Sequence, residues 1–171
     1  YKKENRVWTT LAKQLAYYVV FFSPLQMAAD LVENYRRHPA FQFIRDVPVT
    51  WDETRIIGAE IGDFVITARR SGDHWYIGAV TDEDPRRIEI PLDFLGGGMY
   101  RAQIYSDAGD AGYLEKPGAI DIGDYRAAAG DTITAALTTS GGIAVRLAPL
   151  PGHESALQQI SAFNQRAARH M

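Results

Sequence analysis

The sequence predicts an α+β chain, with a helix–strand–helix opening followed by an antiparallel β-sandwich. Three observations carry this. Residues Leu15–Phe22 are apolar or aromatic at every position, the pattern of a helix buried all round rather than on one stripe. Ser23-Pro24 then precedes a short alternating segment. After Pro48, β-rich segments recur with a turn signal about every 10 residues, the spacing of a sandwich.

Taken in order, residues Asn5–Phe22 read as the first helix. Asn5 is a suitable cap, and Ala12, Lys13, Gln14, Leu15 and Ala16 are strong helix formers. Pro24 ends it by removing a donor and restricting Ser23. Leu25–Asp30 reads as one strand, with Leu25, Met27 and Ala29 opposite Gln26, Ala28 and Asp30. Glu33–His38 and Ala40–Val47 read as helices separated by Pro39. Helix, turn, short strand and helix is the rhythm of an α/β barrel or a doubly wound sheet.

The strands expected beyond Pro48 are Phe64–Arg69, Trp75–Thr81, Arg86–Leu92, Met99–Tyr105, Tyr125–Ala128, Thr132–Leu137 and Ile143–Leu147. Ser71-Gly72-Asp73 joins the first two as a hairpin, and Gly96-Gly97-Gly98 is a turn. His153–Ala168 reads as a helix with Leu157, Ile160, Phe163 and Ala167 on one stripe. The expected divisions are 1–48 for the helix–strand–helix unit, 49–150 for the sandwich and 151–171 for a helical tail.

Bulk composition narrows the function. The 171 residues are 46% hydrophobic and 23% charged, with a formal net charge of −3. No basic footprint favours nucleic acid or an anionic membrane. With no cysteine, thiol catalysis, zinc–thiolate sites and disulfides are excluded. Leu11–Met27 is interrupted by Lys13, Gln14, Ser23, Pro24 and Gln26, and so falls short of the ~20 apolar residues of a span. An initial Tyr1 in place of methionine agrees with a chain cut from a longer one.

The run TTLAKQLAYYVVFFSPLQMAADLVENY, then FQFIRDVPVTWDETRIIGAEIGDFVITARR, then WYIGAVTDED, closely resembles the C-terminal part of glycoside hydrolase family 97, a family of bacterial α-glucosidases and α-galactosidases. The resemblance covers about residues 6–148. It implies an N-terminal sandwich, a central catalytic (β/α)8 barrel and a C-terminal sandwich. On that reading, residues 1–48 are the last helix, strand and helix of the barrel, and the C-terminal sandwich braces it. The resemblance also implies a Ca2+ ion whose ligands lie outside this chain, an oligosaccharide substrate met through the barrel, packing on an upstream catalytic domain, and a periplasmic or secreted parent.

Glycoside hydrolysis uses two carboxyl groups flanking the scissile bond. In the family resembled these come from earlier barrel strands, so no catalytic residue and no metal ligand is expected here, and the 171-residue chain alone is expected to be inactive. Asp30, at the C-terminal end of the expected barrel strand, is the candidate substrate-binding residue. Its competing role is a helix cap, with Glu33 at capping-box spacing. Asp107, Asp110 and Glu115 lack the regular ligand alternation of a calcium loop, and Asp82-Glu83-Asp84-Pro85 reads as an acidic turn. His38, His74, His153 and His170 share no metal spacing. Trp8, Trp51 and Trp75 are expected to be buried rather than stacked on sugars, with Trp51, Phe41 and Phe43 joining sandwich to barrel. The alternative function is a carbohydrate-binding sandwich without catalysis.

Leaving Leu15, Val19, Val20, Phe21, Phe22, Leu25 and Met27 in water would forgo on the order of 10 kcal/mol. Residues 1–47 are therefore expected to be the least stable part of the chain when isolated.

Overall fold

A computed structural model describes residues 7–28, 31–150 and 156–168. Three helices come first: α1 (Leu11–Val20), α2 (Val32–Tyr35) and α3 (Phe41–Asp46). Eight strands follow: β1 (Glu53–Glu60), β2 (Phe64–Ser71), β3 (His74–Thr81), β4 (Arg86–Pro91), β5 (Met99–Asp107), β6 (Ile120–Ala128), β7 (Thr132–Leu137) and β8 (Gly142–Pro149). The two-residue strand β9 (Gln158–Gln159) and helix α4 (Ile160–Ala167) complete the order.

The strands form a main sheet in the order β1-β2-β3-β8-β5-β6-β9 and a small sheet of β4 and β7. All pairings are antiparallel except β6 with β9. Strand alternation divides the buried side chains between two layers. From β3, Trp75, Ile77 and Ala79 join Ile88, Ile90, Ile133 and Leu137 of the small sheet in one core. Tyr76 and Val80 of the same strand join Leu15, Ala16, Val19 and Phe43 in a second core. The main sheet is thus covered on both faces, by β4 and β7 with α4 on one side and by α1 with α3 on the other.

The β-sandwich therefore forms as expected, but the opening helix does not stand apart from it. One face of α1 is sealed by the main sheet: Ala12, Leu15, Ala16 and Val19 are each 1% exposed or less. The expectation of a helix needing walls on every side is corrected to a helix with one wall already in place. The reason is Gly78 of β3. A Cβ there would lie 2.5 Å from the Ala16 carbonyl oxygen and 3.0 Å from Val19 Cβ. Gly142 of β8 leaves the same kind of room beneath Lys13.

The expected strand at Leu25–Asp30 is also corrected. Residues 25–28 make no ladder, and 29–30 lie outside the described residues. A strand needs a neighbour to take its alternate N–H and C=O groups, and among the described residues this segment has none. Strand β1 was not expected from sequence. It is an edge strand with Ile56 exposed and a register shift between Ile56 and Gly58, so its apolar residues do not alternate cleanly.

Candidate functional site

The first helix is fixed at both ends by the sandwich. The Thr10 hydroxyl caps the Lys13 amide, and the amides of Thr10 and Leu11 donate to the carbonyls of Ser140 and Pro117. These bonds satisfy donors that every helix start leaves open. At the other end Arg69 Nη2 donates to the Val20 carbonyl oxygen, 3.3 Å away. The Arg69 guanidinium lies 5.4 Å from the Phe22 ring centroid and 5.8 Å from that of Trp51, within cation–π range.

The far side of α1 and the segment after it form an apolar ridge. Tyr17 stacks on Phe21 at 4.8 Å. Phe21 and Phe22 are more than half exposed, and Leu25, Met27 and Leu31 are 74%, 79% and 70% exposed. The polar groups of the ridge satisfy one another: Gln26 Nε2 donates to the Phe21 carbonyl, the Tyr18 hydroxyl to the Met27 carbonyl, and the Ser23 hydroxyl to the Leu25 carbonyl. What faces solvent is hydrocarbon, the signature of a surface made for a partner.

Helix α3 anchors the outer layer. Phe43, fully buried, meets Tyr76 and Tyr105 edge-on at 6.3 and 5.3 Å. The Tyr76 hydroxyl donates to the Asp46 carbonyl, and Arg146 pairs with the Asp46 carboxylate at 3.5 Å. Trp51 packs edge-on against Tyr76 at 5.5 Å. Phe43 thus fastens α3 to the sandwich itself, Trp51 packs on the same Tyr76 ring, and Phe41 contacts Tyr35.

A buried polar pocket lies beneath the first turn of α1. Asp107 Oδ2 accepts from the amides of Thr138 and Gly142, and its Oδ1 has no partner among the described residues. Burial pushes the Asp107 carboxyl up to about 6, against the pull of the Thr10 hydroxyl, the two amides and the Lys13 charge. Lys13, whose ammonium donates to the Thr81 carbonyl, is held below its usual value by burial, with Asp82, Asp107 and Glu83 opposing.

Asp107 therefore binds its proton more tightly in the folded state than the ordinary 3.8. Its favourable contribution is complete below about pH 4 and is lost as pH rises through about 6. Asp107→Asn keeps one oxygen for the two amides and removes the titration. The variant's urea-unfolding free energy, relative to the parent, should improve by about 1 kcal/mol between pH 5 and pH 7. A pH-independent difference would show that Asp107 does not titrate there.

The remaining sequence candidates separate clearly. Asp30, His153 and His170 lie outside the described residues. Trp75 is buried against Phe94. Trp8 departs from the expected burial at 55% exposed, 6.1 Å from Tyr113. Asp110 pairs with Lys116, and Asp82 accepts from the Asp84 amide and Arg86 inside the expected acidic turn. His38 Nδ1 accepts from the Ala40 amide. Among the described residues no three His, Asp or Glu side chains are grouped to hold a metal ion. The ridge was read from sequence as buried helix and strand. The missed signal was the isolated glycine in the strand WYIGAV, which marks close backbone approach.

Comparison with known proteins gives a consistent result. Residues 50–148 match the family described as "Glycosyl-hydrolase 97 C-terminal, oligomerisation". The chain is 43% identical over 103 residues to a retaining alpha-galactosidase of Bacteroides thetaiotaomicron, covering 60% of the chain and 16% of that protein. It is 30% identical over 134 residues to a probable retaining alpha-galactosidase of Streptomyces bingchenggensis, covering 78% of the chain and 20% of the relative. A solved glycoside hydrolase family 97 enzyme from Pseudoalteromonas sp. strain K8, in complex with panose, superposes with a TM-score of 0.83 at 48% identity, covering 86% of this chain and 24% of that one. The chain thus spans about a sixth to a quarter of the length of these relatives.

Proposed function

The chain belongs to glycoside hydrolase family 97 as a C-terminal domain, and on that premise we propose that it braces the catalytic barrel of an exo-acting α-glycosidase. The exposed ridge at residues 21–28 and 31–32 is the observation that carries this reading. Its polar groups are already satisfied within the ridge, so the surface that remains offers packing and little else. The family description that includes oligomerisation covers residues 50–148. The ridge precedes that span, which favours the catalytic domain over a second copy as its partner.

The substrate class is an α-galactoside or α-glucoside, the former named for two relatives and the latter represented by the panose bound to the Pseudoalteromonas enzyme. The acid and the nucleophile or base are supplied upstream, and Asp30 is the candidate substrate contact within this chain. The calcium ion that the resemblance implies takes its ligands from outside this chain. The parent acts in the periplasm or after secretion.

The test is an assay of two proteins on aryl α-galactosides and α-glucosides. The full-length product carrying this chain should turn over one or both, and the 171-residue chain should turn over neither. In the full-length enzyme, a combined Phe22→Ser, Leu25→Ser and Met27→Ser variant should lose thermal stability by several degrees and activity with it. In the isolated chain the same changes should leave the melting temperature within about 3 °C, because these side chains are exposed. Full stability of the triple variant in the long enzyme would remove the bracing role.

A further inference from the structure

A cleft of about 410 Å³ opens between the two sheets, beside α4. Its main-sheet wall is small and polar at Ser106 of β5 and bare at Gly123 of β6. A Cβ on Gly123 would lie 2.9 Å from the Tyr125 ring, so glycine leaves that ring its place. Tyr125 and Phe163 meet edge-on at 5.6 Å and give the cleft an aromatic side. At the rim Arg166 pairs with Asp121 at 3.3 Å, and its Nη1 lies 3.5 Å from the Tyr125 hydroxyl.

Helix α4, which brings Phe163 and Arg166, lies beyond the family-matched span of 50–148. It is nevertheless built into the sandwich. The Asn164 side chain accepts from the Thr134 amide and donates to the Thr132 carbonyl, both at 2.8 Å, so that it serves β7 as a strand partner would. Strand β9 pairs with β6 immediately before it. The cleft wall is therefore held in place rather than draped across the opening.

Charge around the cleft is close to balanced. Arg166 is paired with Asp121, and Arg86 with Asp63 and Asp82. A neutral ligand suits this better than an ion. The guanidinium–carboxylate pair offers donors and acceptors side by side, as vicinal hydroxyls require. The apolar and aromatic walls suit the C–H surface of a ring, and the volume lies within the usual range of small-molecule sites.

We propose that this cleft binds one neutral hexopyranoside ring, held by Arg166 and Asp121 at its rim and by Ser106 within. The inference stands on the cleft; the glycosidase reading supplies only the choice of sugars. The test is titration of the 171-residue chain with methyl α-galactoside and methyl α-glucoside, followed by amide chemical shifts. Saturable shifts are expected at Ser106, Gly123 and Tyr125 for at least one sugar, with a Kd on the order of 1–10 mM, ordinary for a single small ligand. Arg166→Ala and Asp121→Asn, both on exposed side chains, should each weaken binding at least about fivefold with unchanged melting. Arg101→Ala, which breaks the exposed pair with Asp124 on the same two strands, should leave it intact. No saturable shift up to about 100 mM of either sugar, shifts confined to another surface, or binding indifferent to both rim variants would each overturn the proposal.

Discussion

Replacing Gly78 with valine is expected to unseat α1 and lower the stability of the chain by about 3–5 kcal/mol. The space for a side chain at this position is occupied by the Ala16 carbonyl, Val19 and Val20. The helix is tied at its start to Ser140 and Pro117 and at its end to Arg69, so it cannot simply rise to make room. Its buried face, chiefly Leu15 and Val19, would return in part to water at about 1.5–3 kcal/mol per large side chain. A drop in melting temperature of roughly 10 °C follows for a chain of this size. Gly97→Ala is the control, since nothing lies within 4 Å of a Cβ there and its φ is not positive. Melting curves compare the two, and limited proteolysis at Tyr17 and Tyr18 shows whether the helix is what came loose. A Gly78→Val protein that melts like the parent would mean that α1 is not seated on β3.

Phe43→Ala is the second large effect, with an expected cost of about 3–5 kcal/mol. Phe43 is wholly buried and touches two tyrosine rings, one from β3 and one from β5. Its removal leaves a cavity beneath α3, whose other ties are the Tyr76 bond and the Arg146 pair to Asp46. Those two ties restrain the helix, so the cavity cannot collapse freely. Phe41→Ala, at a half-buried position against Tyr35, should cost less than half as much in the same urea titration. Equal costs at the two positions would show that the outer layer is not organised around Phe43.

The sandwich was legible in the sequence because its strands carry strong local marks. The segment Trp75–Thr81 is apolar on both faces, as a central strand must be, and Ser71-Gly72-Asp73 announces the hairpin before it, with Gly72 at φ +57°. Edge strand β1 was not legible, because a charged, partly solvated strand with a shifted register shows no period of two. The opening helix was misread for a different reason. Its all-round apolar pattern is genuine, but the described residues cover only one side of it. Ala16 and Val19 answer to Gly78, 59 to 62 residues further along, while Phe21 and Phe22, touched on one side by Tyr17 and Arg69, stay more than half exposed. A hydrophobic pattern records how much surface is to be covered, not which part of the protein covers it.

The site was legible mainly through the family resemblance. Asp30 was singled out from its place at the end of an expected barrel strand, a context that the described residues do not supply. Asp107 drew notice only as a loose acidic group, since its burial depends on Thr138 and Gly142 from a distant turn. Phe163 is legible only as part of the tail's apolar stripe, and Arg166 draws no attention until the tail is seen folded against β6 and β7.

Hydrogen exchange, measured on the isolated chain and on the full-length enzyme, addresses the two-sided role of the opening segment most directly. In the isolated chain the amides of residues 14–20 should exchange as slowly as those of β3 and β8, while residues 21–28 exchange quickly. In the full-length enzyme residues 21–28 should slow by at least about tenfold, equivalent to ~1.4 kcal/mol of added protection. Fast exchange throughout 14–20 in the isolated chain, or unchanged exchange at 21–28 in the full-length enzyme, would contradict a helix seated on the sandwich with its outer ridge covered by the catalytic domain.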